Sequence, residues 1–162
     1  MRIHIATDHA GLDFSRHLMK HLTAAGHEVI DHGPSSYDEL DDYPAFCIAA
    51  AQAVVNDQAN GIPALGVVFG GSGNGEQIAA NKVRGARAAL AWNLSTATLA
   101  REHNDANIIS IGARQHTIED ATAFIDAFIA EPFSAEERHA RRIAQLFEYE
   151  TTGRIRGTGI AG

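Results

Sequence analysis

The middle of the chain reads Leu65-Gly66-Val67-Val68-Phe69-Gly70-Gly71-Ser72-Gly73-Asn74-Gly75-Glu76. The first five residues carry no polar side chain on either face of an extended chain, which is typical of a strand buried inside a parallel sheet. The glycines that follow predict a tight loop, and a helical pattern covers 76–82. The segment is therefore predicted to form a strand, a glycine loop and a helix in direct succession.

The same alternation extends along the chain in both directions. Short segments rich in apolar or β-branched residues at 2–6, 27–30, 86–91 and 107–111 predict four more strands, and 86–91 is expected to be buried. Helical patterns lie at 11–25, 43–56, 95–102, 117–130 and 134–149. Their expected caps are Gly26, Ser95, Thr117 and a capping box of Ser134 with Glu137. This order predicts an α/β fold with a five-stranded parallel sheet covered on both faces.

Length, charge and cysteine content limit the classes of protein that fit. The chain has 162 residues, enough for one domain, and its formal net charge of −7 argues against nucleic-acid or membrane binding. Cys47 is the single cysteine, so no intrachain disulfide can form, and no signal segment is visible. We expect a cytoplasmic protein with one domain at 1–150 and a flexible tail or inter-subunit arm at 151–162.

The glycine loop has three possible roles. It could be a structural turn, a phosphate cradle, or an oxyanion hole for an enediolate. It lacks the dinucleotide fingerprint, because Glu76 stands where a third glycine is needed, and no Lys-Ser or Lys-Thr pair ends it as in a P-loop. Glu76 would repel a phosphate but would serve as a base next to a carbonyl. Ser72 is near enough in sequence to bond that base or a sugar.

Two further polar pairs are candidates for binding or catalysis. Asp8-His9 follows the first strand, where ligands of such sheets bind. This pair either binds hydroxyl groups and moves protons, or is a helix cap with an exposed imidazole. His103-Asn104 follows a helical segment, where the imidazole either protonates a sugar ring oxygen or contacts the helix end.

Basic residues near the end of the chain suggest an anion site. Arg138 and Arg142 share one helix face, as a phosphate requires, although pairing with Glu136 and Glu137 on a solvated helix is the alternative. Arg114, at the end of the fifth strand, is a second phosphate candidate. His17 and His21 lack a third ligand and are interpreted as surface residues. Cys47 is interpreted as a core residue.

These residues together resemble the ribose-5-phosphate isomerase B family of sugar-phosphate isomerases. The matching segments are Ala6-Thr7-Asp8-His9-Ala10-Gly11, Asp42-Tyr43-Pro44, Gly71-Ser72-Gly73-Asn74-Gly75, Ile78-Ala79-Ala80-Asn81-Lys82, Arg101-Glu102-His103-Asn104 and Arg138-His139. The resemblance implies a Rossmann-like α/β/α sandwich with strand order 2-1-3-5-4. It also implies a homodimer or tetramer whose active sites lie at the dimer interface, without metal or organic cofactor.

The resemblance assigns roles to individual residues. Asp8 and His9 bind the sugar, Tyr43 lines the pocket, and His103 assists ring opening with Asn104 beside it from the partner subunit. Arg114, Arg138 and Arg142 hold the phosphate, with His139 nearby. The loop residues Gly71, Gly73, Asn74 and Gly75 bind the reacting end.

The chain departs from many family members just before the loop. Gly70 stands where those members have a cysteine base, and the chain resembles the actinobacterial branch, in which Glu76 is the base. Ribose 5-phosphate is the expected substrate, with tetrulose phosphates, allose 6-phosphate and galactose 6-phosphate as alternatives. A non-catalytic phosphosugar-binding module is a further alternative. The segments 33–41 and 56–63 are expected to shape the pocket rim.

Overall fold

Five parallel strands form the central sheet in the order β2-β1-β3-β5-β4. The computed structural model describes the backbone of residues 1–161 and the side chains of residues 1–159. The strands are β1 (Arg2–Ala6), β2 (Glu28–Asp31), β3 (Ala64–Gly70), β4 (Ala88–Leu90) and β5 (Ile108–Gly112). The predicted fold class and strand order are confirmed. β3 is the middle strand of the five, and all seven of its residues are buried.

Helices cover both faces of this sheet. They are α1 (Leu12–Ala24), α2 (Tyr43–Ala59), α3 (Asn74–Ala80), α4 (Leu94–Asn104), α5 (Ile118–Ala130) and α6 (Glu137–Thr152), with a 3-10 turn at His9–Gly11. Buried side chains of α1, α4 and α5 form one apolar core against the sheet. Those of α2 and α3, including Cys47, form a second core on the opposite face. The α/β/α sandwich therefore has two separate cores.

Two of the expected helix caps are wrong. Asn93, not Ser95, caps α4, because its side chain accepts from the Thr96 N–H while the Thr96 hydroxyl accepts from the Asn93 N–H. The Ser134–Glu137 capping box does not form, and α6 begins after Glu136 with no side-chain cap. The Ser134 hydroxyl instead lies 2.8 Å from Nδ1 of His139.

The expected strand at 86–91 is shorter and more exposed than its sequence indicates. Only Ala88–Leu90 pairs with a neighbour, and Ala89 and Leu90 are half-buried. β4 is the edge of the sheet, so one long side of it has no neighbouring strand. This mostly apolar segment therefore stands at an edge position, with α3 packed on one face and α4 on the other.

Regular secondary structure continues past residue 150, the expected end of the domain. α6 runs to Thr152, and β6 (Arg154–Ile155) pairs antiparallel with β7 (Ile160–Ala161). Gly162, the end of the expected tail, lies outside the described residues. Mobility of 151–162 and an inter-subunit role for it stay predictions. In the described part of the chain, no helix combines the length and apolarity needed to cross a membrane.

The strand order places a crevice between β1 and β3. From β1 the chain moves outward to β2 through α1, on one face of the sheet. It then returns through α2, on the other face, to β3 on the far side of β1. Such a reversal opens a crevice at the carboxyl ends of the two strands, where ligands bind in open α/β sheets. Asp8-His9 and the glycine loop both emerge at this point.

Candidate active site

A cavity of about 520 Å³ lies at the carboxyl ends of β1 and β3. Four segments far apart in sequence line it. The lining residues are Asp8, His9, Ala10, Tyr43, Gly71, Ser72, Gly75, Glu76, Arg114 and Gln115. Eight of these were expected from the sequence as site residues, and Ala10 and Gln115 were not. The size suits a small polar ligand.

Glu76 is the buried carboxylate of this cavity. Glu76 is 3% exposed, although it lies in the first turn of α3. A Cβ atom added at Gly70 would overlap the Glu76 carboxylate. The space above Gly70 is thus occupied by the side chain of Glu76, and any larger residue at 70 would displace it.

Burial sets the protonation behaviour of Glu76. Desolvation raises the pKa of Glu76 above its ordinary value, a backbone hydrogen bond at the residue opposes this, and the Asp8 carboxylate raises it further. Oε2 is buried and has no hydrogen-bond partner among the described residues. A carboxylate that is poorly solvated and incompletely bonded is a stronger base than one in water.

Asp8 and His9 are held by hydrogen bonds that close the end of β1. The Asp8 side chain caps the 3-10 turn by accepting from the Ala10 N–H at 2.9 Å. Oδ1 of Asp41 accepts from the His9 backbone N–H at 3.1 Å and lies 2.7 Å from Nδ1 of the same residue. Asp8 therefore both caps a helical turn and lines the cavity, so the two interpretations of this pair are compatible.

The glycine loop turns at Gly73, where φ is +80°, and packs against β5. The Gly73 carbonyl accepts from the buried Ser110 hydroxyl at 2.7 Å. The Ser72 hydroxyl accepts from the Asn74 backbone and side chain at 3.3 and 3.2 Å. Gly73 and Asn74 do not line the cavity. A Cβ at Gly75 would lie 2.6 Å from the Tyr43 hydroxyl, so this glycine lets the phenol ring approach the loop.

Arg114 is the cationic side chain of the cavity. The loop and the residues after β5 are tied together, since Ala113 N–H donates to Gly70 and Arg114 N–H donates to Gly71, at 2.8 and 3.1 Å. This pairing brings the guanidinium next to the glycine loop, as the Cβ position of Gly71 indicates. Among the lining residues it is the group suited to an anionic substituent of a ligand.

The other expected site residues form a second cluster. The rings of His103 and His139 lie 4.3 Å apart between centroids. His139 is 3% exposed, and burial, then His103 and Arg138, lower its pKa, with Arg142 acting in the same direction. Arg138 is exposed and pairs with Glu136 at 2.9 Å. The cluster thus combines two imidazoles with two guanidinium groups.

The two clusters lie at opposite edges of the sheet within one chain. α4 begins just after β4 and ends at Asn104, just before β5 begins, so His103 lies toward the amino edge. Glu76 follows the carboxyl end of β3. An 11-residue helix such as α4 is roughly 16 Å long. His103, Asn104, Arg138, His139 and Arg142 therefore do not reach the Glu76 cavity of their own chain.

Gln115 lines the cavity and Asp41 supports His9, and neither residue was expected from the sequence. Asp41 stands in the run Asp38-Glu39-Leu40-Asp41-Asp42, which looks like a solvated loop. The segment 33–41 was expected at the rim, and its Asp41 supports His9 there. The segment 56–63 is wrongly placed, because Asp57 bonds Arg2 and His4 near the start of β1, at the amino edge.

Three other expectations concern metals and the cysteine. Cys47 is fully buried, as expected, and burial followed by Glu76 and Asp8 raises the pKa of its thiol. His21 contacts Asp126 at 2.9 Å and belongs to no group of metal-ligand type. Among the described residues, Asp8, His9 and Asp41 form one group of possible ligands within 4.8 Å of one another. Their mutual and capping hydrogen bonds already use Nδ1 of His9 and one oxygen of each carboxylate.

Comparison with known proteins agrees with this architecture. Residues 3–146 match the profile of the Ribose/Galactose Isomerase family. Ribose-5-phosphate isomerase B of Mycobacterium tuberculosis is 56% identical over 152 residues, covering 94% of this chain and 91% of the relative.

Solved structures of relatives superpose over almost the whole chain. Ribose-5-phosphate isomerase B from Mycoplasma genitalium, solved with bound ribulose-5-phosphate, has a TM-score of 0.86 at 37% identity, covering 93% of this chain and 96% of that one. The Clostridium thermocellum enzyme has a TM-score of 0.87 at 38% identity, covering 95% and 100%. The chain is an aldose–ketose isomerase with the fold of these relatives. The chain belongs to the ribose/galactose isomerase family.

Proposed function

We propose that this chain interconverts ribose 5-phosphate and ribulose 5-phosphate through an enediolate, with Glu76 as the base. The observation that carries the proposal is the buried Glu76 carboxylate, held over Gly70 at the cavity wall. The names of the relatives supply the substrate pair. A cytoplasmic location is part of the proposal, since the chain has a single buried thiol.

The reaction is a pair of proton transfers. Glu76 removes the proton from C2 of the open-chain aldose and returns it to C1, while the hydroxyl proton on O2 moves to O1. No atom is gained or lost, so side chains can perform every step. The proposal therefore invokes neither a metal nor an organic cofactor. The raised pKa of Glu76 supports this role, because a carboxylate with a higher pKa is a stronger base.

Charge develops on the sugar oxygen during the first transfer. Backbone N–H groups of the glycine loop stabilise the enediolate in this proposal, and Gly71, Ser72 and Gly75 are the loop residues that line the cavity. Ser72 holds the loop by accepting from Asn74 and has its hydroxyl at the cavity wall. Tyr43 closes the adjacent side.

The cyclic sugar must open before this chemistry starts. Asp8 lies at the cavity wall and His103 lies in the second cluster, and either side chain can exchange a proton with the ring or the anomeric hydroxyl. Arg114 holds the phosphate from one side. Arg138 and Arg142 complete the clamp only if a second copy of the chain delivers them, because they lie at the other edge of their own sheet.

We therefore propose a homodimer with two shared active sites. Each site takes Glu76, Asp8 and Arg114 from one copy and His103 with the α6 arginines from the other. The surface around β4 and α6 supports this arrangement, because large apolar side chains are exposed there. They include Ile78, Leu94, Leu146 and Phe147, which are 53–60% exposed. Burial of such a surface between two copies is favourable.

A substrate panel in deuterated water tests the proposal. The purified chain is assayed with four-, five- and six-carbon sugar phosphates, and kcat/KM is compared. Ribose 5-phosphate should give the highest value, and the ribulose 5-phosphate formed should carry deuterium at C1 to the extent that the proton held by Glu76 exchanges with solvent before it is delivered. A higher value for a tetrulose or hexose phosphate would overturn the pentose assignment. Binding without turnover of any member would overturn the isomerase mechanism.

A further inference from the structure

The contact between Asp41 and His9 joins two segments that are 32 residues apart in sequence. Asp41 belongs to the loop between β2 and α2, and its own backbone N–H donates to the Asp38 carbonyl at 3.1 Å. Its side chain is 8% exposed. Placing a carboxylate in such a position costs free energy unless its oxygens are bonded. Both hydrogen bonds to this carboxylate come from His9 and go to Oδ1, while Oδ2 is buried without a hydrogen-bond partner among the described residues.

The geometry fixes which ring nitrogen of His9 carries a proton. Oδ1 of Asp41 accepts from the His9 backbone N–H, which can only donate. The same oxygen lies 2.7 Å from Nδ1, so Nδ1 also donates to it. The assignment follows from this hydrogen-bond pattern. Neutral His9 is therefore the Nδ1–H tautomer, with its lone pair on Nε2.

The remaining ring nitrogen is free for a ligand. His9 lines the cavity, and its Nε2 has no hydrogen-bond partner among the described residues. The edge of the ring also meets Tyr37, with the two ring centroids 5.8 Å apart. One ring hydrogen bond and one aromatic contact thus hold the imidazole in one orientation before any ligand arrives, and the backbone N–H of His9 holds the Asp41 carboxylate in place.

We infer that Asp41 is a positioning residue for this isomerase: it holds His9 so that Nε2 presents a hydrogen-bond acceptor to the sugar phosphate. This inference rests on the proposed function for the identity of the substrate. Without Asp41, the ring can rotate and can adopt the Nε2–H tautomer, which presents a donor in place of an acceptor. Hydroxyl groups of the substrate that donate to Nε2 would then lose their partner.

Four variants test the inference by kinetics. Asp41→Ala should lower kcat/KM for ribose 5-phosphate by about 10–100-fold, the size of effect typical of residues that orient a functional histidine. Asp41→Asn keeps an acceptor oxygen and should recover most of the loss. In the His9→Ala background, Asp41→Ala should change kcat/KM by less than about twofold, since its effect acts through His9. Glu39→Ala, which removes an exposed carboxylate from the same loop, should leave kcat/KM unchanged within about twofold.

A spectroscopic readout separates positioning from a merely structural effect. Long-range proton–nitrogen NMR spectra, assigned with the His9→Ala variant, report the tautomer of His9. The wild-type spectrum should show protonated Nδ1, and Asp41→Ala should shift the population toward protonated Nε2. An unchanged tautomer in Asp41→Ala, or an equal kinetic loss in both backgrounds, would overturn the inference. Absence of ribose 5-phosphate turnover in the wild-type protein would instead refute the proposed function, and the NMR result would still decide the role of Asp41.

Discussion

The Glu76 carboxylate occupies the space that a side chain at Gly70 would fill. Residue 70 ends β3 and residue 76 lies one helical turn beyond the loop, so the loop folds the chain back over the strand end. The family resemblance implies that many other members have a cysteine base just before the loop, where this chain has Gly70. In this chain the Glu76 carboxylate fills the space beside Gly70. The base of the proposed mechanism therefore lies where a side chain at position 70 would lie.

Gly70→Ala should inactivate the protein while leaving it folded. The backbone at Gly70 is not left-handed, so alanine fits there without strain. The three atoms nearest to the new methyl group all belong to the end of the flexible Glu76 side chain, which can move. A displacement of the base by about 1 Å is expected to lower kcat by about 100-fold. Steady-state kinetics should show this loss, while the melting temperature stays within about 4 °C of the wild type.

The Gly70→Ala/Glu76→Gln double variant is the control for this explanation. If alanine acts by displacing Glu76, adding it to a protein without the carboxylate should cost little further activity. A second large loss in the double variant would show that Gly70 matters for another reason.

Glu76→Gln should remove turnover and stabilise the fold at alkaline pH. Loss of a general base lowers kcat by about 10²–10⁴-fold. Because burial raises the pKa of Glu76 in the folded state, the unfolded chain loses this proton at lower pH. Stability is therefore lost as pH rises from about 4.5 through the folded-state pKa. Glutamine has no such loss, so its melting temperature relative to wild type should be higher at pH 8 than at pH 4.5.

The exposed Glu39→Gln variant provides the comparison, and its difference from wild type should not change with pH in this way. A Glu76→Gln protein that keeps near-normal kcat would refute the assignment of the base. If the stability difference between Glu76→Gln and wild type did not change with pH, the charge on Glu76 would not be what destabilises the fold.

Local sequence determined the sheet more completely than the helix ends. β3 could be predicted because its apolar run allows no exposed face, and the structure buries all seven residues. At the start of α4, Asn93, Ser95 and Thr96 can each cap a helix, and in the structure Asn93 does so, with Thr96 completing the capping box. Ser134 had a suitable capping partner at Glu137, but a tertiary contact with His139 engages its hydroxyl instead. Competition of this kind is invisible to local patterns.

The candidate site shows the same division. Glu76, Asp8, His9 and Arg114 could be predicted because each follows a strand end, and parallel strands bring their carboxyl ends to one edge. Asp41 could not, because its role depends on a loop closing over His9. Spacing alone does not indicate that His103 lies at the opposite edge, since that depends on the direction of α4 relative to the sheet.

Acid should destabilise the fold through His32, a half-buried residue that follows β2 and contacts the buried His4 of β1. Nδ1 of His4 and Nε2 of His32 lie 2.9 Å apart, and Nε2 of His4 contacts Asp57 at 2.9 Å. Burial, and then His4, lower the pKa of His32. The unfolded chain therefore binds more protons than the folded one below about pH 6.5, and stability falls as pH drops from 6.5 toward the folded-state pKa. Urea denaturation between pH 5 and 8 should show this slope.

His32→Asn should flatten that slope, whereas His17→Asn, at an exposed position on α1, should leave it unchanged. Asp57 affects the stability of the fold over a different pH range. The hydrogen bond from His4 lowers the pKa of Asp57, so its contribution is lost only as pH falls below about 3.8. An identical slope in wild type and His32→Asn would contradict the assignment to this pair.

Mixing two inactive variants should restore activity if the active site is shared. Glu76→Gln damages the cavity at the carboxyl edge, and His103→Ala damages the cluster at the amino edge. In a heterodimer of these variants, one site combines both defects and the other combines the intact Glu76 of one copy with the intact His103 of the other. Random exchange makes about half of the dimers mixed, so about a quarter of wild-type sites return.

The measurement is the ribose 5-phosphate isomerase rate after the two proteins are unfolded and refolded together. Each variant refolded alone is the control and should stay at its own low rate. Recovery near a quarter of the wild-type rate requires that Glu76 and His103 act from different copies, as their positions at opposite edges of the sheet imply. If both residues served the same site within one chain, each mixed dimer would hold two defective sites, and co-refolding would restore nothing.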